Sequence, residues 1–118
     1  MAAGGDTPIP THTISTHVLD TERGLPAAGV RVTLYRLGVA GNGPLRMTQA
    51  LTDGDGRVRD LLERPLQEGD YRLEFDVAHE DGSFFTKIAI DLRIDDVSRS
   101  YHVPLLLAPY SMTTYRGS

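Results

Sequence analysis

Apolar residues recur at every second position in three stretches of the chain, and this periodicity constrains the fold more than any other feature. In GVRVTLYRL, Val30, Val32 and Leu34 alternate with Arg31, Thr33 and Tyr35. In DYRLEFDV, Tyr71, Leu73, Phe75 and Val77 share one parity against Arg72, Glu74 and Asp76. In TKIAIDLRI, Ile88, Ile90, Leu92 and Ile94 alternate with Lys87, Ala89, Asp91 and Arg93. Successive strand side chains point to opposite faces, so such alternation describes strands with one face in a core and one in water. The segments between them, RGLPAAG, GVAGNGP, DGDG, QEGD, HEDG and DDVS, are rich in turn-forming residues. Short strands at this spacing predict an all-β, two-sheet antiparallel sandwich. Room for a helix is confined to one turn near Val77–Asp81, ended by Gly82.

Two further segments depart from the simple pattern. HTISTHVLD sets Ser15, His17 and Leu19 on one face and Ile14, Thr16 and Val18 on the other. YHVPLLLAP sets Tyr101, Val103, Leu105 and Leu107 against His102, Pro104, Leu106 and Ala108, so both of its faces are largely apolar. An apolar outer face on a small sandwich calls for a partner to cover it. Pro104 has no N–H to give to a ladder, which places it at an edge or a bulge. The expectation is an oligomer formed through an outer sheet face that carries histidines.

At 118 residues the chain reads as one domain, residues 13–118, behind a short flexible lead, 1–12. A domain of this size buries about 65% of its unfolded surface, enough for a core without staples. The sequence has no cysteine, hence neither disulfides nor thiolate metal sites. A net charge of −4 with dispersed signs argues against a nucleic-acid partner, which requires a basic face. No apolar run approaches the ~20 residues of a membrane span. The opening MAAGGDTPIPTHT has neither a basic start nor an apolar run, and a cytoplasmic address is expected.

Histidine is the side chain whose ordinary pKa suits proton transfer near neutrality. His17 and His102 sit among small or apolar neighbours on two different strands, whereas His12 and His79 fall in lead and loop segments. No histidine–carboxylate spacing of the kind that binds zinc occurs. A calcium loop starting at Asp53 would need Gly at its sixth position and Glu at its twelfth, but has Gly56 at its fourth and Arg64 at its twelfth. DGDGR reads instead as a tight turn in which Gly54 and Gly56 supply positive φ and Arg57 projects just beyond. Arg57 is a surface charge or a forked contact for a planar, electron-rich ligand. No G-x-S-x-G elbow and no cysteine nucleophile is present, so covalent acyl transfer has no evident agent.

THVLDTERGLPAAGV, DGR and YHVPLLLAPYSMTTYRGS, together with the all-β pattern, resemble the transthyretin-like 5-hydroxyisourate hydrolases of purine breakdown. The resemblance runs from about Ser15 to Ser118, and the terminal YRGS is its most specific element, because hormone-carrying transthyretins end differently. It implies hydrolysis of a ring amide of 5-hydroxyisourate to 2-oxo-4-hydroxy-4-carboxy-5-ureidoimidazoline, without metal or cofactor. It also implies a homotetramer, a dimer of dimers, whose central channel is lined by the histidine-bearing face. By resemblance His17, Arg57, His102 and Ser118 are catalytic, and Tyr115, Arg116 and Gly117 join them in binding substrate. One departure is the segment AHEDGSFFT, where a short helix and a Phe-Phe-Pro are usual and Thr86 stands in place of the proline. The alternative is a transthyretin-like carrier of a small apolar ligand, for which a polar, titratable lining is a poor match. Ordering a chain end costs about 1–2 kcal/mol per residue, so a patterned tail implies contacts that repay it, as part of a site wall.

Overall fold

The computed structural model describes residues 12–39, 41, 43–78 and 82–117. Among them run nine strands: β1 (Ile14–Asp20), β2 (Leu25–Pro26), β3 (Arg31–Arg36), β4 (Leu45–Leu51), β5 (Arg57–Val58), β6 (Gly69–Asp76), β7 (Lys87–Ile94), β8 (Tyr101–Leu107) and β9 (Met112–Thr114). One sheet has the order β4-β3-β6-β7; the other has β2-β1-β8-β9, with β5 also paired to β1. No helix occurs among the described residues. Val77 and Ala78 extend the β6–β7 hairpin by donating their N–H groups to the Thr86 carbonyl at 3.0 and 3.2 Å. Residues 79–81, where most of the expected helical turn and His79 fall, lie outside the described residues, as do the opening eleven residues and Ser118.

The apolar parities meet between the sheets. Ile14, Val18, Val103 and Leu105 from one sheet pack with Val32, Leu34, Leu73 and Phe75 from the other, all buried. Leu61, Leu62 and Leu66, in the connection from β5 to β6, close the end of the core. Thr16 is buried on the inner face of β1, and its hydroxyl donates to the Val103 carbonyl at 2.6 Å. That bond satisfies a group that would otherwise destabilise the interior.

The structure adds three features to the sequence expectation. β4 carries no clean alternation because the β3–β4 ladder shifts register between Leu34 and Tyr35, and such a bulge reverses the parity of the bulged strand. The pairing of β1 with β8 is parallel, within sheets that are otherwise antiparallel. Pro104 does not lie on an edge strand, since β8 has β1 on one side and β9 on the other. It instead marks an interruption: pairing with β9 runs from Leu107 to Leu105, lapses at Pro104, and resumes as a bridge between His102 and Gly117.

The DGDGR turn is clamped against β1. The Gly56 carbonyl accepts the Val18 N–H at 2.7 Å, and the Asp53 carboxylate accepts the N–H groups of Asp55 at 2.8 Å and Arg57 at 3.0 Å. Gly56 has φ 77°, and a Cβ there would lie 2.4 Å from the Val18 carbonyl oxygen. Gly54, expected to share the positive φ, does not have one, and its Cβ position is open space. Gly56→Ala is therefore predicted to destabilise the protein by about 2–3 kcal/mol in urea unfolding, and Gly54→Ala by no more than about 0.5 kcal/mol. Equal effects of the two substitutions would contradict this description of the turn.

Candidate active site

Strand parity turns His17 outward, because its neighbours Thr16 and Val18 are buried in the core. His102 is outward for the same reason, lying between buried Tyr101 and Val103. The ladders then set the lateral order of the outer face. His17 is opposite Arg57 on its β5 side and opposite Pro104 on its β8 side. Ser15 is opposite His102, and His102 is opposite Gly117 of the tail. Arg57, His17, His102 and Gly117, drawn from four separate parts of the chain, thus share one patch of sheet surface.

Contacts fix the histidine at its centre. The Ser15 Oγ lies 2.8 Å from His102 Nδ1. The Gly117 N–H donates to the His102 carbonyl at 2.7 Å, and a Cβ on residue 117 would sit 2.7 Å from His102 Cδ2. The tail therefore lies against the imidazole, and only glycine lets it come that close. Burial holds the His102 pKa below the ordinary imidazole value, and the charges of Arg57 and His17 reinforce the shift. All three causes disfavour the imidazolium and so favour the neutral ring of His102.

Arg57 owes its place to the turn that precedes it. Asp53 has a pKa below the ordinary carboxylate range, chiefly because it accepts the Arg57 backbone N–H, so it stays ionised and holds the turn closed. A shallow depression beside this turn is lined by His17, Leu19, Pro26, Asp55, Arg57 and Arg59. A separate groove at the sandwich end, between Phe84, Phe85, Leu107 and Tyr110, has Asp20 and Arg23 at its rim but neither central histidine. Among the described residues no group of three or more His, Cys, Asp or Glu side chains could hold a metal ion.

Of the seven site residues expected from the sequence, His17, Arg57, His102 and Gly117 are brought together. Tyr115 follows β9 and is 56% exposed, on the same tail parity as Gly117. Arg116 has the opposite parity, with its guanidinium 5.5 Å from the centre of the Tyr101 ring. Ser118 lies outside the described residues. Ser15 and Asp53 were not singled out from the sequence. The parity of Ser15 with His17 was legible, but its contact with His102 depends on a parallel register between strands 87 residues apart. An Asp four residues before Arg57 is a turn signal in its own right.

The model of the HIUase/Transthyretin family matches residues 14–117. A 5-hydroxyisourate hydrolase of Deinococcus radiodurans is 44% identical over 115 residues, covering 89% of this chain and 95% of that protein. The solved structure of Klebsiella pneumoniae 5-hydroxyisourate hydrolase superposes with a TM-score of 0.76 at 35% identity, covering 92% of this chain and 100% of that one. Sea bream transthyretin in complex with thyroxine gives a TM-score of 0.78 at 26% identity, over 88% of this chain and 93% of that one. The two-sheet architecture, the match across both sheets and the shared sequence place this chain in the HIUase/Transthyretin family.

Proposed function

We propose that this chain hydrolyses 5-hydroxyisourate to 2-oxo-4-hydroxy-4-carboxy-5-ureidoimidazoline, a metal-independent opening of a cyclic amide in urate breakdown. The observation that carries the reading is the outer-face patch in which His17, Arg57 and His102 converge with the tail packed on His102. The names borne by the Deinococcus and Klebsiella relatives support the substrate. The domain that carries the activity is taken as residues 13–118, and the cytoplasm as its compartment, in keeping with the dispersed, mildly acidic charge. A carrier of apolar ligands, as the transthyretin likeness would allow, is disfavoured by the cationic and titratable groups on this face.

Amide hydrolysis needs a base for water, a positive group for the developing oxyanion and an acid for the departing nitrogen. In this proposal His102 is the base. With the Nδ1–H donating a hydrogen bond to the Ser15 hydroxyl, the Nε2 lone pair is free to take a proton from water. The water oxygen bonds to the amide carbonyl carbon, and Arg57 balances the charge on the carbonyl oxygen. The C–N bond then breaks, His17 gives a proton to the nitrogen and takes one back from the His102 imidazolium, and the new carboxylic acid releases its proton to solvent. Tyr115 and Gly117 bound the substrate on the tail side, Arg116 acts on it through the tail that it carries, and Ser118 orients the water.

We propose further that the active form is a homotetramer, a dimer of dimers. The core is filled by side chains from both sheets, so a purine-sized ring must bind at the surface. The outer face carries half-buried Leu19 and Leu106 beside the histidines, with Pro104 already buried between them, and Leu25 on adjoining β2 is 56% exposed. A second copy laid on this face would cover the apolar residues and wall the depression into a channel.

Three outcomes are expected. Added to freshly oxidised urate, the protein should accelerate the loss of 5-hydroxyisourate absorbance; no acceleration would refute the substrate. Because His102 has a depressed pKa and works neutral, kcat/KM should rise with pH along a limb below the ordinary value of about 6.5 and level off near neutrality. His102→Asn should abolish that limb and lower kcat/KM by about 100-fold or more. For the assembly, Leu106→Glu sets like charges near one another across a two-fold axis. Sedimentation velocity should then show dimers, with activity lost in parallel; fully active dimers would overturn the channel.

A further inference from the structure

The tail has little backbone pairing to hold it. Extending the β8–β9 register past Thr114 would put Tyr115 opposite Pro104 and Arg116 opposite Val103, and it meets Gly117 opposite His102, where a bridge is observed. Pro104 has no N–H to donate to the tail. Among the described residues, the ladder bond beyond Thr114 is the single one from Gly117 to the His102 carbonyl, and Thr114 Oγ1 donates to the Pro104 carbonyl at 2.8 Å. Something else must keep the tail on the imidazole. Arg116 is exposed and forms no ion pair among the described residues. Its guanidinium stands 5.5 Å from the centre of the Tyr101 ring, the residue next to His102.

We infer that Tyr101 is a positioning residue: its ring anchors Arg116 and so holds Gly117 against His102. The ring is itself well fixed. Tyr101 is 6% exposed, its hydroxyl accepts the Asp96 N–H at 3.0 Å, and it faces the Asp96 carbonyl at 3.0 Å and Asp95 Oδ1 at 3.3 Å. Arg99 also lies over it, 5.7 Å from the centroid. A buried ring tied at its hydroxyl presents a fixed face to a cation arriving from solvent. Strand alternation completes the device, since Arg116 reaches the inner parity of β8 only when Gly117 lies on the outer parity at His102. Anchoring one therefore sets the other. Such an attraction at an exposed site corresponds to a change of about two- to fivefold in a local opening equilibrium. The anchor stands on geometry alone; its consequence for catalysis rests on the hydrolase reading above.

The test compares the assembled wild-type protein with Arg116→Gln, Tyr101→Leu and Tyr101→Phe by two readouts. One is the amide exchange rate of Gly117 by NMR, and the other is kcat/KM for 5-hydroxyisourate. Arg116→Gln, a surface change that leaves the core intact, should speed Gly117 exchange and lower kcat/KM, each by about two- to fivefold. Tyr101→Leu should do the same or more. Tyr101→Phe keeps the ring face and should stay near wild type in both. Loss of kcat/KM in Arg116→Gln with unchanged Gly117 exchange would overturn the inference, because Arg116 would then act on the substrate directly. Tyr101→Phe behaving like Tyr101→Leu would overturn it as well. A wild-type protein with no hydrolytic activity would refute the hydrolase reading alone, and the exchange rates would still decide the anchor.

Discussion

In the parallel ladder of β1 and β8, Ile14 lies opposite Tyr101 and the pairing continues in step to Asp20 opposite Leu107, joining segments that the sequence keeps 87 residues apart. Parallel neighbours cannot be joined by a hairpin and need a long crossover. Here the crossover contains all four strands of the opposite sheet. Once the ladder forms, its inner parity supplies Ile14, Thr16, Val18, Val103 and Leu105 to the core. Its outer parity sets Ser15 beside His102, His17 beside Pro104 and Leu19 beside Leu106. A slip of one residue would exchange the two faces of a strand, burying an imidazole and exposing core residues, so the requirement for a dry core also fixes the register of the site.

Much of this was written in the sequence in a form that elementary periodicity can read. The core parities of β3, β6 and β7 and the outward parity of His17 follow from alternation alone, whereas β8 is apolar on both faces and does not by itself say which face carries His102 outward. Other features were hidden for identifiable reasons. β4 is masked by the bulge at Leu34/Tyr35, which breaks its alternation midway. The Ser15–His102 contact depends on a parallel register that neither strand encodes by itself. Pro104 announces a broken ladder, but not that the ladder resumes at Gly117. Of the two glycines in DGDGR, only Gly56 has the positive φ expected of both, since it alone lies directly under the Val18 carbonyl. The significance of the terminal tetrapeptide came from resemblance to a family; its packing on His102 is what the fold adds.

The same contacts that place His102 also tune it. Burial among β1, β8 and the tail, with Arg57 and His17 nearby, disfavours its charged form, and Ser15 gives its Nδ1 a partner. The cost of gathering cationic groups on one face of an acidic chain is offset locally by Asp53, which stays ionised inside the turn that carries Arg57, and by Asp55, 3.8 Å from Arg59. The positions of these side chains and the protonation state of His102 thus arise from one set of strand pairings and one turn. The tail completes the set from the far side of β8, at the cost of ordering residues that a shorter domain would leave free.

Deletion of Tyr115–Ser118 is the most direct test of whether the tail packed on His102 completes the catalytic face. Circular dichroism of the truncated protein should remain β-rich, because none of the core residues is removed. Its kcat/KM for 5-hydroxyisourate should fall by about 100-fold or more, the scale expected when reacting groups lose their alignment. A folded, truncated protein that hydrolyses 5-hydroxyisourate at the wild-type rate would contradict the account.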